Sequence, residues 1–134
     1  MTKRIAFVVY YSESDDPDQY VIYLLAKLRS LYNHIVVISN SQLTNKGKAV
    51  INKHSDRLIE RENKGYDFAA WAEGVLDIGW DGLKAYDYVT FLNTTCFGPI
   101  FPLSPLYKNM EVDKVDFWGM TNFRRTEGIG WYPG

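Results

Sequence analysis

The stretch Arg61-Glu62-Asn63-Lys64-Gly65-Tyr66-Asp67-Phe68-Ala69-Ala70-Trp71 joins a short apolar run to a segment with helical periodicity. The N-terminus of a helix carries unpaired N–H groups and the positive end of the helix dipole, which suit an anionic ligand such as a phosphate. Gly65 supplies a positive φ or a close backbone approach, and Asp67 is placed to cap the helix. An ordinary strand–helix loop explains the pattern equally well, because a single glycine is a weak phosphate signal.

On both sides of this turn, apolar runs alternate with helical patterns. Residues 5–11 and 34–38 are apolar without alternation, which predicts strands buried on both faces, and shorter strands are predicted at 57–61, 86–92 and 115–120. Helices are predicted from Asp16 as N-cap, after Thr44, from about Phe68 to Gly79 and from a Ser104 cap. The fold class that follows is α/β, with a mostly parallel central sheet and flanking helices.

The helix after the opening turn has an apolar face with helical spacing. It predicts that five side chains point inward: Phe68, Trp71, Ala72, Val75 and Leu76. No repeat or linker divides residues 1–134, so we expect a single domain. The aromatic end, Trp131-Tyr132-Pro133-Gly134, leads us to expect that this domain is incomplete at its C-terminus.

Composition narrows the classes of partner and compartment. The net charge of −1 gives no electrostatic case for binding nucleic acid. Cys96 is the single cysteine, which excludes an intrachain disulfide and predicts a cytoplasmic protein with a packed thiol. No apolar run approaches the roughly 18–20 residues of a membrane span, so a place at the inner face of the plasma membrane would require partners. Exposed aromatic residues near the C-terminus suggest a homodimer or a partner domain.

Polar side chains gather where the predicted strands end, and ligands of open α/β sheets bind at that edge. Thr121 and Asn122 follow the last predicted strand. The candidate substrate-binding residues are Tyr11, Ser39, Asn40, Arg61, Asn63, Gly65, Asp67, Asn93 and Thr94. Arg61 can offer a bidentate fork to a diphosphate or pair with one of three carboxylates, those of Glu60, Glu62 and Asp67.

Familiar catalytic patterns are missing from the sequence. His34 and His54 have neither metal-ligand nor triad spacing, so metal-centred and Ser-His-Asp hydrolysis are poorly supported. There is no GxGxxG and no GxxxxGK[ST], which argues against a dinucleotide or P-loop site. The sequence identifies no catalytic residue, and Asp116 is a candidate by position only.

Three segments resemble the motifs of the rhamnan synthesis protein F family. The opening turn is similar to its R-x-N-x-G-Y-D-F-G-A-W signature, residues 93–99 to its N-D-S-x-x-G-P segment, and residues 116–121 to its D-F-W-G-x-T motif. The resemblance implies a GT-A-like fold with a Rossmann-like nucleotide-sugar-binding half. It also implies a glycosyltransferase lineage that builds rhamnose-containing cell-wall or surface polysaccharides. The partners would be a nucleotide-sugar donor such as dTDP-rhamnose and a polysaccharide acceptor.

Two positions depart from the family pattern. Asn93-Thr94-Thr95 carries no carboxylate where the family has an Asp, and Ala69 replaces the usual Gly. A divalent metal, magnesium or manganese, is therefore an open question, since hard cations prefer carboxylate oxygens. Two hypotheses follow: a glycosyltransferase, or its donor-binding part, and a noncatalytic nucleotide-sugar-binding or interaction module of a larger polysaccharide-assembly protein.

Overall fold

The computed structural model describes residues 1–14, 16–112 and 115–120, and the chain divides into two units, Met1–Phe101 and Pro102–Gly134. The described helix of the second unit is α5, Leu103–Glu111. The first unit alternates strands and helices in the order β1 Arg4–Tyr10, α1 Gln19–Arg29, β2 His34–Ser39, α2 Asn45–His54, β3 Arg57–Glu60, α3 Tyr66–Ile78, α4 Trp80–Leu83 and β4 Tyr88–Asn93.

The four strands form one parallel sheet in the order β3-β2-β1-β4. Helices α1 and α2 contact each other on one face, and α3 packs against β1 and β2 on the other. Helices on both faces explain why Ile5–Tyr10 and Ile35–Ser39 are buried throughout. The predicted α/β fold with a mostly parallel sheet is confirmed, and the described sheet is entirely parallel, with Rossmann-like connections.

Helix α3 approaches the sheet closely because its contact residues are small. Ala70 and Gly74, four residues apart, are buried, and a Cβ atom on Gly74 would lie 2.7 Å from Phe7 Cδ1. Trp71 and Val75 pack at the margin of this contact. The prediction that Phe68, Ala72 and Leu76 point inward is wrong, since all three are exposed. Because α3 contacts the sheet through Ala70 and Gly74, the large side chains of Phe68 and Leu76 lie on its solvent-exposed side.

Several predicted element boundaries require correction. Asp18, not Asp16, is the N-cap of α1, because the Asp16 carboxylate accepts a hydrogen bond from Thr44 Oγ1 instead. Helix α5 begins at Leu103 after Pro102, so Ser104 lies inside the helix and does not cap it. Residues 115–120 form no strand, and the side chain of Phe117 is exposed. Thr121 and Asn122 lie outside the described residues.

The helix predicted after Thr44 is confirmed. Thr44 is its N-cap, and its Oγ1 accepts a hydrogen bond of 3.0 Å from the Gly47 N–H. Within the part of the chain that the structure describes, no helix has the length and apolar character needed to cross a membrane.

Candidate functional site

The strand order opens a cleft at the carboxyl edge of the sheet. The chain runs outward from β1 through β2 to β3 and then returns to the opposite side of β1, where β4 pairs. Ligands of open α/β sheets bind at such a switch point. A cleft of about 450 Å³ lies there, lined by Val9, Tyr11, Asn40, Asn63, Tyr66, Asp67, Asn93, Thr94 and Thr95. The lining residues come from the ends of β1, β2 and β4, from Asn63 in the turn between β3 and α3, and from the first two residues of α3.

Hydrogen bonds among three serines fix the ends of β1 and β2 relative to each other. The buried Ser39 Oγ donates to the Ser41 carbonyl at 2.7 Å. Ser41 Oγ in turn donates to the Ser12 carbonyl and accepts from the Ser12 N–H, both at 2.8 Å. The Asn40 N–H donates to the Tyr10 carbonyl at 2.8 Å. Ser39 therefore lies behind the cleft, where it shapes the loop that carries Asn40.

Arg61 fastens three parts of the site together. Its side chain is 14% exposed, and its Nε donates to Glu73 Oε2 at 2.5 Å. Its Nη1 donates to Asn40 Oδ1 at 2.8 Å and its Nη2 to the Lys64 carbonyl at 3.0 Å. The ion-pair partner is Glu73 on α3. These contacts orient Asn40 and the turn, and they engage all three guanidinium nitrogens with protein acceptors.

The turn into α3 uses two consecutive residues with positive φ. Gly65 has φ 73° and is the N-cap of α3, and Tyr66 follows with φ 50°. The positive φ expected at Gly65 is confirmed. A Cβ atom at this position would lie 2.6 Å from the Ala69 Cβ. The turn therefore depends on glycine both for its backbone conformation and for the space next to Ala69.

Asp67 joins α3 to the end of β4 and does not cap its own helix. Gly65, the N-cap, has no side-chain cap hydrogen bond, whereas Asp67 Oδ2 accepts from Asn93 Nδ2 at 3.2 Å. Thr95 Oγ1 donates to Asn93 Oδ1 at 2.9 Å, which fixes the orientation of the amide. Trp71 Nε1 donates to the Leu92 carbonyl at 3.0 Å and holds the same two elements together. A carboxylate thus faces the cleft with its partner amide oriented.

Six of the nine candidate residues line the cleft: Tyr11, Asn40, Asn63, Asp67, Asn93 and Thr94. The other three, Ser39, Arg61 and Gly65, do not line it. Three lining residues were not among the candidates: Val9, Tyr66 and Thr95. Val9 lies in a strand that was predicted to be buried, so no sequence signal placed it in a cleft. Tyr66 directly follows the turn glycine, which could have marked it as a candidate, and its side chain is 77% exposed.

The cleft does not fit a metal held by protein side chains. Among its lining residues Asp67 supplies the one carboxylate, and Asn93 already bonds one of its oxygens. Over the described ranges, no three His, Cys, Asp or Glu side chains come together as a metal site.

Cys96 follows the β4 end and is exposed, so the expected packing of its thiol is wrong. It lies in the loop that leaves the sheet, away from the apolar core.

Glu60 holds the loop after β2 against the end of β3 and gives this region a pH dependence. Burial raises the pKa of Glu60, but the ion pair with Lys48 at 2.9 Å and the Leu43 N–H bond outweigh it and lower the pKa. A carboxyl group with a lowered folded-state pKa stabilises the fold above its unfolded pKa. That stabilisation is lost as the pH falls through the folded value.

We expect Glu60→Gln to reduce the free energy of unfolding at pH 7 by about 0.5–1 kcal/mol, since the pair is partly exposed. At pH 3 the difference between the two proteins should be smaller than at pH 7, because the stabilisation is lost as the pH falls through the lowered folded-state pKa of Glu60. Urea unfolding at both pH values measures this. A difference that stays constant between the two would show that the charge of Glu60 is not what stabilises the loop.

These features define a doubly wound α/β domain with a polar cleft, edged by tyrosines, at its switch point. The chain belongs to the rhamnan synthesis protein F family, whose sequence pattern matches residues 35–130. This range contains the Arg61 turn, α3 and the end of β4. The family takes its name from the synthesis of rhamnan.

Two curated sequences of the virulence protein VirA, one from Vibrio anguillarum and one from its strain ATCC 68554 / 775, are also similar to this chain. Each is 37% identical over 71 residues, which cover 52% of this chain and 22% of VirA. The chain thus spans about a fifth of the length of these relatives. No solved structure matches.

Proposed function

We propose that this chain is the donor-binding part of a glycosyltransferase that uses a nucleotide-activated deoxyhexose, such as dTDP-rhamnose, in surface polysaccharide synthesis. The observation that carries the proposal is the position of the cleft, at the switch point between β1 and β4 in a member of a rhamnan synthesis family. Nucleotide ligands of doubly wound folds bind at this position.

The chemistry of the cleft supports a ligand with flat rings and many hydroxyl groups. Its volume of about 450 Å³ lies within the range of small-molecule sites, roughly 300–1,000 Å³. Tyr11 and Tyr66 provide aromatic faces for a base or a sugar ring. Asn40, Asn63 and Asn93 each provide an amide, and an amide both donates and accepts hydrogen bonds. Neutral polar groups of this kind recognise the edge of a base and the hydroxyls of a sugar.

On this proposal the residues divide into two groups by task. The six candidate residues that line the cleft contact the donor, whereas Ser39, Arg61 and Gly65 hold those residues in place. In glycosyl transfer, an acceptor hydroxyl forms a bond to the anomeric carbon while the bond to the diphosphate breaks. Binding and orienting the donor is the part of this reaction that the cleft performs.

Calorimetric titration of thymidine diphosphate and uridine diphosphate tests the proposal. We expect one of the two nucleotides to bind with a stoichiometry near one, and Tyr11→Ala to weaken it by about tenfold through loss of stacking. Tyr23→Ala is the matched control, because Tyr23 is an exposed tyrosine on α1 that does not line the cleft. Failure of both nucleotides to bind the wild-type protein would disprove a donor site here.

A noncatalytic nucleotide-sugar-binding module is the second candidate function. The end of β4 favours it, since Asn93, Thr94 and Thr95 place amide and hydroxyl groups, not carboxylates, in the cleft. Incubating the protein with dTDP-rhamnose and measuring release of thymidine diphosphate separates the two candidates. Release above the uncatalysed rate would support the transferase, whereas binding without any release would support the module.

A further inference from the structure

We infer that Asp67 is a specificity-determining residue whose carboxylate accepts hydrogen bonds from vicinal hydroxyls of the donor sugar, and that the donor binds this cleft without a divalent cation. The inference rests on the proposed function and deepens it, because it says which part of the donor occupies the Asp67 side of the cleft. The diphosphate then lies away from this carboxylate.

The charge of the cleft disfavours a diphosphate next to Asp67. Asp67 is acidic and the other eight lining residues are neutral. The nearby cation Arg61 has its guanidinium nitrogens bonded to Glu73, Asn40 and Lys64, so Glu73 offsets its charge. Lys64 is exposed and pairs with Glu62. A diphosphate pressed against Asp67 would therefore meet a like charge, and neither Arg61 nor Lys64, the two cations of the described turn, is free of a carboxylate partner.

The position of Asp67 on its helix also disfavours a phosphate. Asp67 lies in the first turn of α3, where a carboxylate interacts favourably with the positive end of the helix dipole. The attraction that this helix end would offer to a phosphate is thus already used by a side chain of the protein. A neutral sugar hydroxyl, by contrast, donates readily to a carboxylate and gains from the negative charge.

The geometry of the Asp67–Asn93 pair suits two adjacent hydroxyl groups. Asn93 Nδ2 bonds Oδ2 of Asp67 at 3.2 Å, and Thr95 Oγ1 bonds Oδ1 of Asn93, so both side chains are oriented before a ligand arrives. A carboxylate has several acceptor sites on its two oxygens and takes two donors at once. Two adjacent hydroxyls of a pyranose present donors at that spacing. The pair therefore suits a vicinal diol better than a cation, which would need further carboxylates from the protein.

Isothermal titration of thymidine diphosphate and dTDP-rhamnose into the wild-type protein, Asp67→Asn and Asp77→Asn tests the inference. Asp67→Asn should weaken dTDP-rhamnose by about tenfold, because a hydrogen bond to a charged acceptor is lost. It should leave thymidine diphosphate unchanged or bound more tightly. Asp77→Asn is the matched control, since Asp77 lies on the same helix, pairs with Arg57 and does not line the cleft. Its affinities should equal those of the wild type.

Two further measurements complete the test. Manganese should change the wild-type affinity for either ligand by less than about twofold, because the described lining of the cleft offers a single carboxylate. Asn93→Ala, which frees Asp67 without removing its charge, should weaken dTDP-rhamnose more than thymidine diphosphate, and its thermal unfolding reports whether the fold is retained. Two results would overturn the inference while leaving the donor site in place. One is an equal loss of both ligands in Asp67→Asn, and the other is tighter binding with manganese that disappears in that variant.

Discussion

Arg61→Ala should weaken nucleotide-sugar binding by about 10- to 100-fold and lower the free energy of unfolding by roughly 1–3 kcal/mol. The variant removes three hydrogen bonds that Arg61 donates: those to Asn40 Oδ1, to the Glu73 carboxylate and to the Lys64 carbonyl. Asn40 is 5% exposed, so its amide oxygen would lose its hydrogen bond where water has little access. Calorimetry with dTDP-rhamnose and urea unfolding measure the two effects.

Two variants show whether the effect comes from the position of Arg61 in the site. Arg57→Ala removes an arginine from the start of β3, the strand that ends directly before Arg61. Arg57 donates to Asp77 through two nitrogens but is exposed and lies outside the cleft lining, so both losses should be small. Arg61→Lys keeps a charge but not the three-way geometry, and we expect it to lose most of the binding. Equal effects of the two alanine substitutions would contradict a positioning role for Arg61.

Gly65→Ala should lower the free energy of unfolding by roughly 2–4 kcal/mol and remove most of the ligand affinity. The backbone at φ 73° costs an alanine about 1–2 kcal/mol. The new Cβ would also lie 2.6 Å from the Ala69 Cβ, so the first turn of α3 must shift. Because Tyr66 and Asp67 lie in that turn and line the cleft, the shift displaces two lining side chains.

The two causes can be separated by removing the contact with Ala69 while the backbone strain at Gly65 is kept. Gly79 does not serve as a comparison, because its φ of 77° is combined with a ψ of 155°, whereas the ψ of Gly65 is 12°. The double variant Gly65→Ala with Ala69→Gly removes the contact but keeps the strain, and it should recover part of the loss. Urea unfolding of the wild type, Gly65→Ala, Ala69→Gly and the double variant gives the coupling energy between the two positions. A coupling energy of zero would show that the Ala69 contact is not important.

The parts of the fold that depend on local patterns could be predicted from the sequence. Unbroken apolar runs identified β1 and β2 as doubly buried strands, and the turn around Gly65 located the start of α3. The inward face of α3 was predictable from hydrophobicity only in part: Trp71 and Val75 pack against the core as predicted, whereas Phe68, Ala72 and Leu76 are exposed. At the centre of the contact of α3 with the sheet lie Ala70 and Gly74, which are small enough to permit close approach. A search for large apolar residues at helical spacing does not identify a contact made by such small residues.

The candidate site was predicted in its composition but not in its connections. Parallel strand ends share one edge of a sheet, so the polar residues that follow each strand were expected near one another. The partner of Arg61 is Glu73, 12 residues away on α3, and the partner of Asp67 is Asn93, 26 residues away. These pairings depend on how α3 lies across β1 and β2 and brings its first residues to the end of β4, which is a property of the whole sheet.

The most direct test of the donor site is to map the ligand on the backbone amides by nuclear magnetic resonance. Titrating dTDP-rhamnose into the isotopically labelled protein should shift the amide signals at the ends of β1 and β4 and in the turn before α3, with the largest changes around Tyr11, Tyr66 and Asn93. Signals from α1 and α2, on the opposite face of the sheet, should stay in place. The absence of shifts at saturating ligand, or shifts confined to α1 and α2, would contradict a nucleotide-sugar site in the switch-point cleft.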